Sequence, residues 1–125
     1  MIHFDITTDW VYEHYYIYLH LSIADSENIV SENDLLRIRN LIFKNIDESR
    51  GETLIKDVLK EFRSHNEEEK QAFIKNNASK YLRTEAIRNK VICELENTTS
   101  QDEENEERVM FRYIRKIINN IPSKS

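Results

Sequence analysis

Glycine and proline occur only once each in this chain of 125 residues, at Gly51 and Pro122. A β-rich fold needs turn residues wherever the chain reverses, and these two residue types supply many of the required backbone angles. A chain so poor in both is therefore predicted to be helical. Its length suits one domain with one hydrophobic core. We expect residues 1–125 to form a single all-α domain.

Six segments carry the apolar spacing of helices. The first, from about Trp10 to Ala24, is apolar or aromatic over most of its surface and is predicted to be the central element, surrounded by the others. Asn66 and Thr84 offer side-chain oxygens that predict helix starts, and Pro122 predicts the end of the last helix. The apolar residues of the other five helices fall within residues 35–46, 54–62, 72–82, 87–95 and 109–121.

A weak internal similarity suggests a repeat. Residues 35–42 resemble residues 110–118 if one residue is inserted, and each segment follows an acidic stretch with a serine, Ser31 or Ser100, in the capping position. Two helical hairpins related by a pseudo-twofold axis would explain this similarity. Helices with similar apolar faces also look alike by chance, so both interpretations stay open.

Charge and apolar content exclude some partners and locations. The net charge of −5 disfavours nucleic acid, whose affinity comes mainly from clustered lysine and arginine. The longest apolar run, residues 15–23, is shorter than the ~20 residues of a membrane span, and no secretory signal is recognisable. We therefore expect a cytoplasmic protein, with peripheral membrane association left open. Cys93 is the only cysteine, so no internal disulfide forms, and its apolar neighbours predict a core position.

Two segments between the predicted helices are rich in carboxylates. The first is the stretch Ala24-Asp25-Ser26-Glu27-Asn28-Ile29-Val30-Ser31-Glu32. The second lies at about residues 96–107 and contains no apolar side chain. Calcium and magnesium prefer oxygen ligands such as carboxylates. The first segment is not an EF-hand, because isoleucine and leucine occupy two required ligand positions. The acids either bind a divalent cation or cap helices and face solvent, and the candidate metal ligands are Asp25, Glu27, Glu32, Glu96 and Glu103.

The order of these features resembles the tellurite-resistance TerB-like family. A nearly all-apolar helix is followed by Ala24-Asp25, and Glu32 comes seven residues after Asp25, just before an amphipathic helix. Asp25 and Glu32 match the family's aspartate and glutamate, whereas Ser26 replaces its usual glycine. Glu96 and Glu103 repeat the seven-residue spacing without the flanking alanine and glycine. The resemblance implies an all-helical domain whose acidic clusters have been linked to divalent cations and to stress responses at the membrane.

Three functions follow from these features. The first is a non-catalytic TerB-like interaction or stress-response module that binds divalent cations through its acidic loops. The second is a metal-independent helical adaptor that contacts a protein partner or a second copy through aromatic rings of the first helix, namely Trp10, Tyr12, Tyr15, Tyr16 and Tyr18, although core packing also explains those rings. The third is an enzyme with paired carboxylates in a concave pocket. The chain has no nucleophile elbow and no phosphate loop, so we predict that it is not an enzyme.

Overall fold

The computed structural model describes residues 11–25, 32–44, 46–99 and 106–121, and these residues form six α-helices without a strand. The all-α prediction is thereby confirmed for the described part of the chain. Nothing in the helix arrangement confirms the predicted pseudo-twofold repeat. The helices are α1 (Tyr12–Asp25), α2 (Glu32–Ile42), α3 (Glu48–Ser64), α4 (Glu67–Tyr81), α5 (Glu85–Thr98) and α6 (Glu106–Asn119).

The first helix is the central element, as predicted. It contacts α2, α3, α4 and α6, and every residue from His14 to Ala24 is buried. A helix without a polar face is stable in water only when other elements surround it. Its buried hydroxyls are satisfied, since Tyr15 Oη donates to the Ile74 carbonyl at 2.7 Å and Ser22 Oγ donates to the Tyr18 carbonyl at 2.9 Å. None of the described helices combines the length and apolarity needed to cross a membrane.

Side-chain caps explain where three helices begin. The Asp47 side chain accepts a backbone N–H from the first turn of α3. At the start of α4, Asn66 and Glu69 form a reciprocal capping box with two hydrogen bonds of 2.8 Å. The Thr84 hydroxyl accepts the backbone N–H of Ile87 at 3.1 Å and begins α5. The predicted starts at Asn66 and Thr84 are confirmed.

The single glycine lies inside a helix instead of in a turn. Gly51 is buried in the first turn of α3, which begins earlier than the apolar pattern predicts. A Cβ atom at this position would overlap the ring of Phe43 and would also crowd Ile42. The missing side chain therefore allows the end of α2 to pack closely against the start of α3.

The two C-terminal helices correct the predicted core. Cys93 is exposed, so its predicted core position is wrong. The buried residues of α5 include Val91 and Leu95, and Cys93 lies two positions from each, about 200° around the helix. In α6, Val109 is 50% exposed although the apolar spacing predicts it on the buried face, whereas Phe111, Ile114 and Ile118 are buried.

The last turn of α5 extends into the predicted acidic loop. The helix continues through Glu96 to Thr98, and the Thr99 hydroxyl donates to the Leu95 carbonyl at 2.6 Å. Residues 106–107 belong to α6, so the segment 96–107 is helical at both ends. Residues 100–105, which include the predicted cap Ser100, lie outside the described residues, and so does the predicted cap Ser31.

Candidate functional site

The predicted cation ligands lie at helix ends or in the segments between helices. Asp25 is the last residue of α1, and Glu32 is the first residue of α2. The Glu32 side chain is exposed. The Asp25 side chain, Glu27 and Glu103 lie outside the described part. Among the side chains that the structure describes, no group of three or more His, Cys, Asp or Glu residues is arranged to hold a metal ion.

Glu96 makes an ion pair that bears directly on its predicted role. Its Oε2 atom lies 3.2 Å from Nη2 of Arg108, a buried residue in the first turn of α6. The same guanidinium lies 5.0 Å from the centre of the Phe111 ring. The pair links the end of α5 to the start of α6. A cation bound at Glu96 would have to compete with this guanidinium for the carboxylate.

Three of the five aromatic rings that formed the predicted partner surface lie in the core. Tyr15, Tyr16 and Tyr18 are each no more than 5% exposed. The Tyr15 ring stacks on Tyr81 at 5.3 Å between ring centres. Tyr12 is only half-buried, and Trp10 lies outside the described residues. Tyr15, Tyr16 and Tyr18 therefore stabilise the fold and are not available as a docking face.

A hydrogen-bonded chain of three side chains joins α1 to the connection between α3 and α4. Tyr18 Oη lies 2.7 Å from Nδ1 of His65, and Nε2 of His65 lies 2.9 Å from Oε2 of Glu61. The order hydroxyl, imidazole and carboxylate is also that of a catalytic triad. Tyr18 is fully buried, however, so its hydroxyl cannot reach a substrate. The chain is a structural link, and 47 residues of sequence separate its first two members.

Two histidines of α1 are buried in their neutral form. Burial and the nearby positive charge of Arg37 lower the pKa of His20 to about 3. Its Nε2 atom has no hydrogen-bond partner among the described residues, and its ring packs edge-on against Tyr16. Burial also lowers the pKa of His14, whose Nδ1 atom accepts the Val11 backbone N–H at 3.0 Å. Within the described part of the chain, neither histidine belongs to a group of three or more His, Cys, Asp or Glu residues that could hold a metal ion, although the charges of Asp57 and Glu13 act on His14.

A polar cleft, here called the tyrosine cleft, opens between α1, α2, α3 and α5. Its volume is about 170 Å³, and Tyr12 and Tyr16 stack along it with ring centres 5.9 Å apart. This cleft could not be predicted from the sequence, because its residues come from separate segments of the chain. The lining consists of Tyr12, Glu13, Tyr16, Leu41, Ile42, Ile46, Arg50, Lys90 and Glu94.

The two phenols of the tyrosine cleft stay protonated. Burial, followed by the negative charge of Glu94, raises the pKa of both Tyr12 and Tyr16 above the usual tyrosine value. The Tyr16 hydroxyl also hydrogen-bonds to the Glu94 carboxylate. The cleft thus contains neutral phenols beside a carboxylate, an arrangement that favours a positively charged hydrogen-bond donor.

These features define the protein as an all-α domain built around one buried helix, with an acidic α1–α2 junction and a small polar cleft. No protein-family model matches the chain, and no curated protein and no solved structure shows significant similarity to it.

Proposed function

We propose that the protein is a non-catalytic, TerB-like interaction or stress-response module that binds a divalent cation at the junction of α1 and α2. The observation that carries this proposal is the position of the two acids that match the family motif. Asp25 ends α1 and Glu32 begins α2, so the junction starts and finishes with a carboxylate residue. Calcium and magnesium are the expected ions, because both prefer oxygen ligands.

The packing of the two flanking helices supports the proposal. Ala24, next to Asp25, is 1% exposed, and Ile38 of α2 is fully buried. The backbones of Asp25 and Glu32 therefore belong to helices that are anchored in the core, which lowers the entropy cost of bringing these two acids to an ion. Glu27 lies within this junction and is a proposed further ligand.

The second acidic segment has a smaller part in the proposal. Glu96 is paired with Arg108, so we assign it a structural role before any role in cation binding. Glu103 remains a proposed ligand only if its segment reaches the first junction. The proposed site therefore centres on Asp25 and Glu32.

Thermal unfolding tests the proposal. The midpoint is measured with chelator and then with increasing Ca²⁺, Mg²⁺, Mn²⁺ or Zn²⁺, for the wild type and for the Asp25→Asn, Glu32→Gln double variant. A ligand that binds only the native state at 100 times its Kd stabilises that state by about 2.7 kcal/mol. We expect a concentration-dependent rise in the wild-type midpoint and no rise in the double variant.

The matched control is the Glu48→Gln, Glu85→Gln double variant. These two exposed acids are the first residues of α3 and α5, so the control also removes two negative charges, both from helix N-termini. It should keep the full cation response. An equal loss of response in the control, or no response in the wild type, would contradict the proposal.

The metal-independent adaptor is the competing function, and the burial of Tyr15, Tyr16 and Tyr18 weakens its original basis. Those rings could bind a partner only after α1 had left the core. An unchanged midpoint with every cation would favour the adaptor over the cation-binding module. The search for its partner would then move to other surfaces of the domain.

A further inference from the structure

We propose that the tyrosine cleft binds a free α-amino acid with an apolar side chain. This inference does not rest on the proposed cation site. Tyr12 lies 13 residues before Asp25 on the same helix, which corresponds to about 20 Å along the axis. The two sites therefore lie at opposite ends of α1 and can be tested separately.

The lining of the cleft carries both signs of charge. Glu13 and Glu94 supply two carboxylates, and Arg50 and Lys90 supply two cationic groups. Of the described residues, none forms an ion pair with Glu13, Arg50 or Lys90. Glu13, Arg50 and Lys90 thus bring charges of both signs to one cleft, which matches a ligand that carries both, as a free amino acid does at neutral pH.

The tyrosine side of the cleft suits the ammonium group. An ammonium group has three N–H donors and no acceptor. Glu94 provides a charged acceptor held by its hydrogen bond to Tyr16, and the half-buried ring of Tyr12, which stacks on Tyr16, adds a π-face that attracts cations. The carboxylate of the ligand is then left for Arg50 and Lys90, which come from α3 and α5.

The remaining lining and the size of the cleft define the side chain of the ligand. Leu41, Ile42 and Ile46 form an apolar part of the wall. The volume of about 170 Å³ is below the range of about 300–1,000 Å³ that is typical for drug-sized ligands. A single amino acid with an aliphatic side chain therefore fits better than a nucleotide or a folded peptide.

Calorimetric titration with three probes tests the charge requirement. L-leucine carries both charges, L-leucinamide lacks the carboxylate, and 4-methylpentanoate lacks the ammonium group. We expect saturable binding of L-leucine, with each analogue at least about tenfold weaker, because a lost charged hydrogen bond typically costs that factor or more. Equal affinity for L-leucinamide would overturn the proposal in favour of a site for simple organic cations.

Variants assign each charge to its partner. Glu94→Gln should remove the preference for L-leucine over 4-methylpentanoate, and Arg50→Gln combined with Lys90→Gln should remove the preference over L-leucinamide. The controls are Glu85→Gln on the same helix as Glu94 and Lys60→Gln on the same helix as Arg50, both at exposed positions outside the cleft. Circular dichroism establishes that each variant is folded before titration.

Two further results decide the outcome. No saturable L-leucine binding up to about 20 mM, a range that covers even weak millimolar affinity, would overturn the proposal. Loss of binding in the control variants to the same extent as in the cleft variants would also overturn it. The Asp25→Asn, Glu32→Gln variant should bind L-leucine as the wild type does, so failure of the cation proposal and failure of this one are distinguishable.

Discussion

At the scale of single residues, burial changes the chemistry of ordinary side chains. His20 would titrate near neutral pH in water, yet its pKa in the folded protein is about 3 because it is buried and lies near Arg37. The described structure offers no hydrogen bond to its Nε2 atom. Protonation would therefore place an uncompensated charge in the core, and it is strongly unfavourable in the native state.

This environment predicts that the protein loses stability in mild acid. The pKa of His20 is lower in the folded state than in the unfolded state, so the unfolded chain binds the proton more readily. The contribution of neutral His20 is complete above about pH 6.5 and is lost progressively as the pH falls toward 3. Between about pH 7 and pH 5, His20 should lower the free energy of unfolding by roughly 2 kcal/mol.

Urea denaturation at the two pH values measures this effect. A His20→Leu variant should lose about 2 kcal/mol less than the wild type between them, because it removes the titrating group. The control is Ile23→Val, which should lower stability by about 1 kcal/mol at both pH values and leave the pH-dependent difference unchanged. A His20→Leu variant with the same pH-dependent loss as the wild type would show that His20 is not responsible.

At the scale of helices, local signals placed the helix starts well and the close contacts poorly. Asn66 and Thr84 predicted the starts of α4 and α5 because capping depends on residues only three positions apart. The position of Gly51 depends on Phe43, which belongs to the preceding connection, and the apolar pattern carries no information about that contact. The apolar neighbours of Cys93 predict a core position, whereas helical phase places it on the face away from the buried Val91 and Leu95.

The close approach at Gly51 predicts that alanine destabilises α3, although alanine is intrinsically the better helix former by about 1 kcal/mol. Gly51→Ala places a methyl group against the Phe43 ring, and overpacking of this kind typically costs about 1–3 kcal/mol. Chemical denaturation should show a net loss of stability. In a Phe43→Ala background the same change should become neutral or stabilising, and a persistent loss there would disprove the proposed contact.

The capping box at the start of α4 gives a second prediction for a helix. Asn66→Ala removes the side-chain acceptor for the Glu69 backbone N–H and should lower the free energy of unfolding by about 1 kcal/mol. The matched control is Asn76→Ala, an exposed position in the middle of the same helix, where alanine should be neutral or slightly stabilising. Equal effects of the two substitutions in thermal or urea unfolding would contradict a capping role for Asn66.

At the scale of the whole molecule, one apolar helix explains the arrangement of the others. The sequence predicted the central position of α1 because a helix without a polar face has to be surrounded. The tyrosine cleft could not be predicted in the same way, since Tyr12, Arg50 and Glu94 meet only through tertiary packing. The pair between Glu96 and Arg108 could not be predicted either, since it depends on how the end of α5 meets the start of α6.

The proposed divalent-cation site lies where α1 ends and α2 begins. Titration with Mn²⁺ while amide signals are recorded by NMR tests it most directly, because this paramagnetic ion accepts oxygen ligands and broadens the signals of nearby nuclei. We predict that the amides of Asp25 and Glu32 broaden first and that those of the acidic first turn of α4, Glu67–Glu69, do not. Broadening that begins at α4, or none at the junction, would contradict the account.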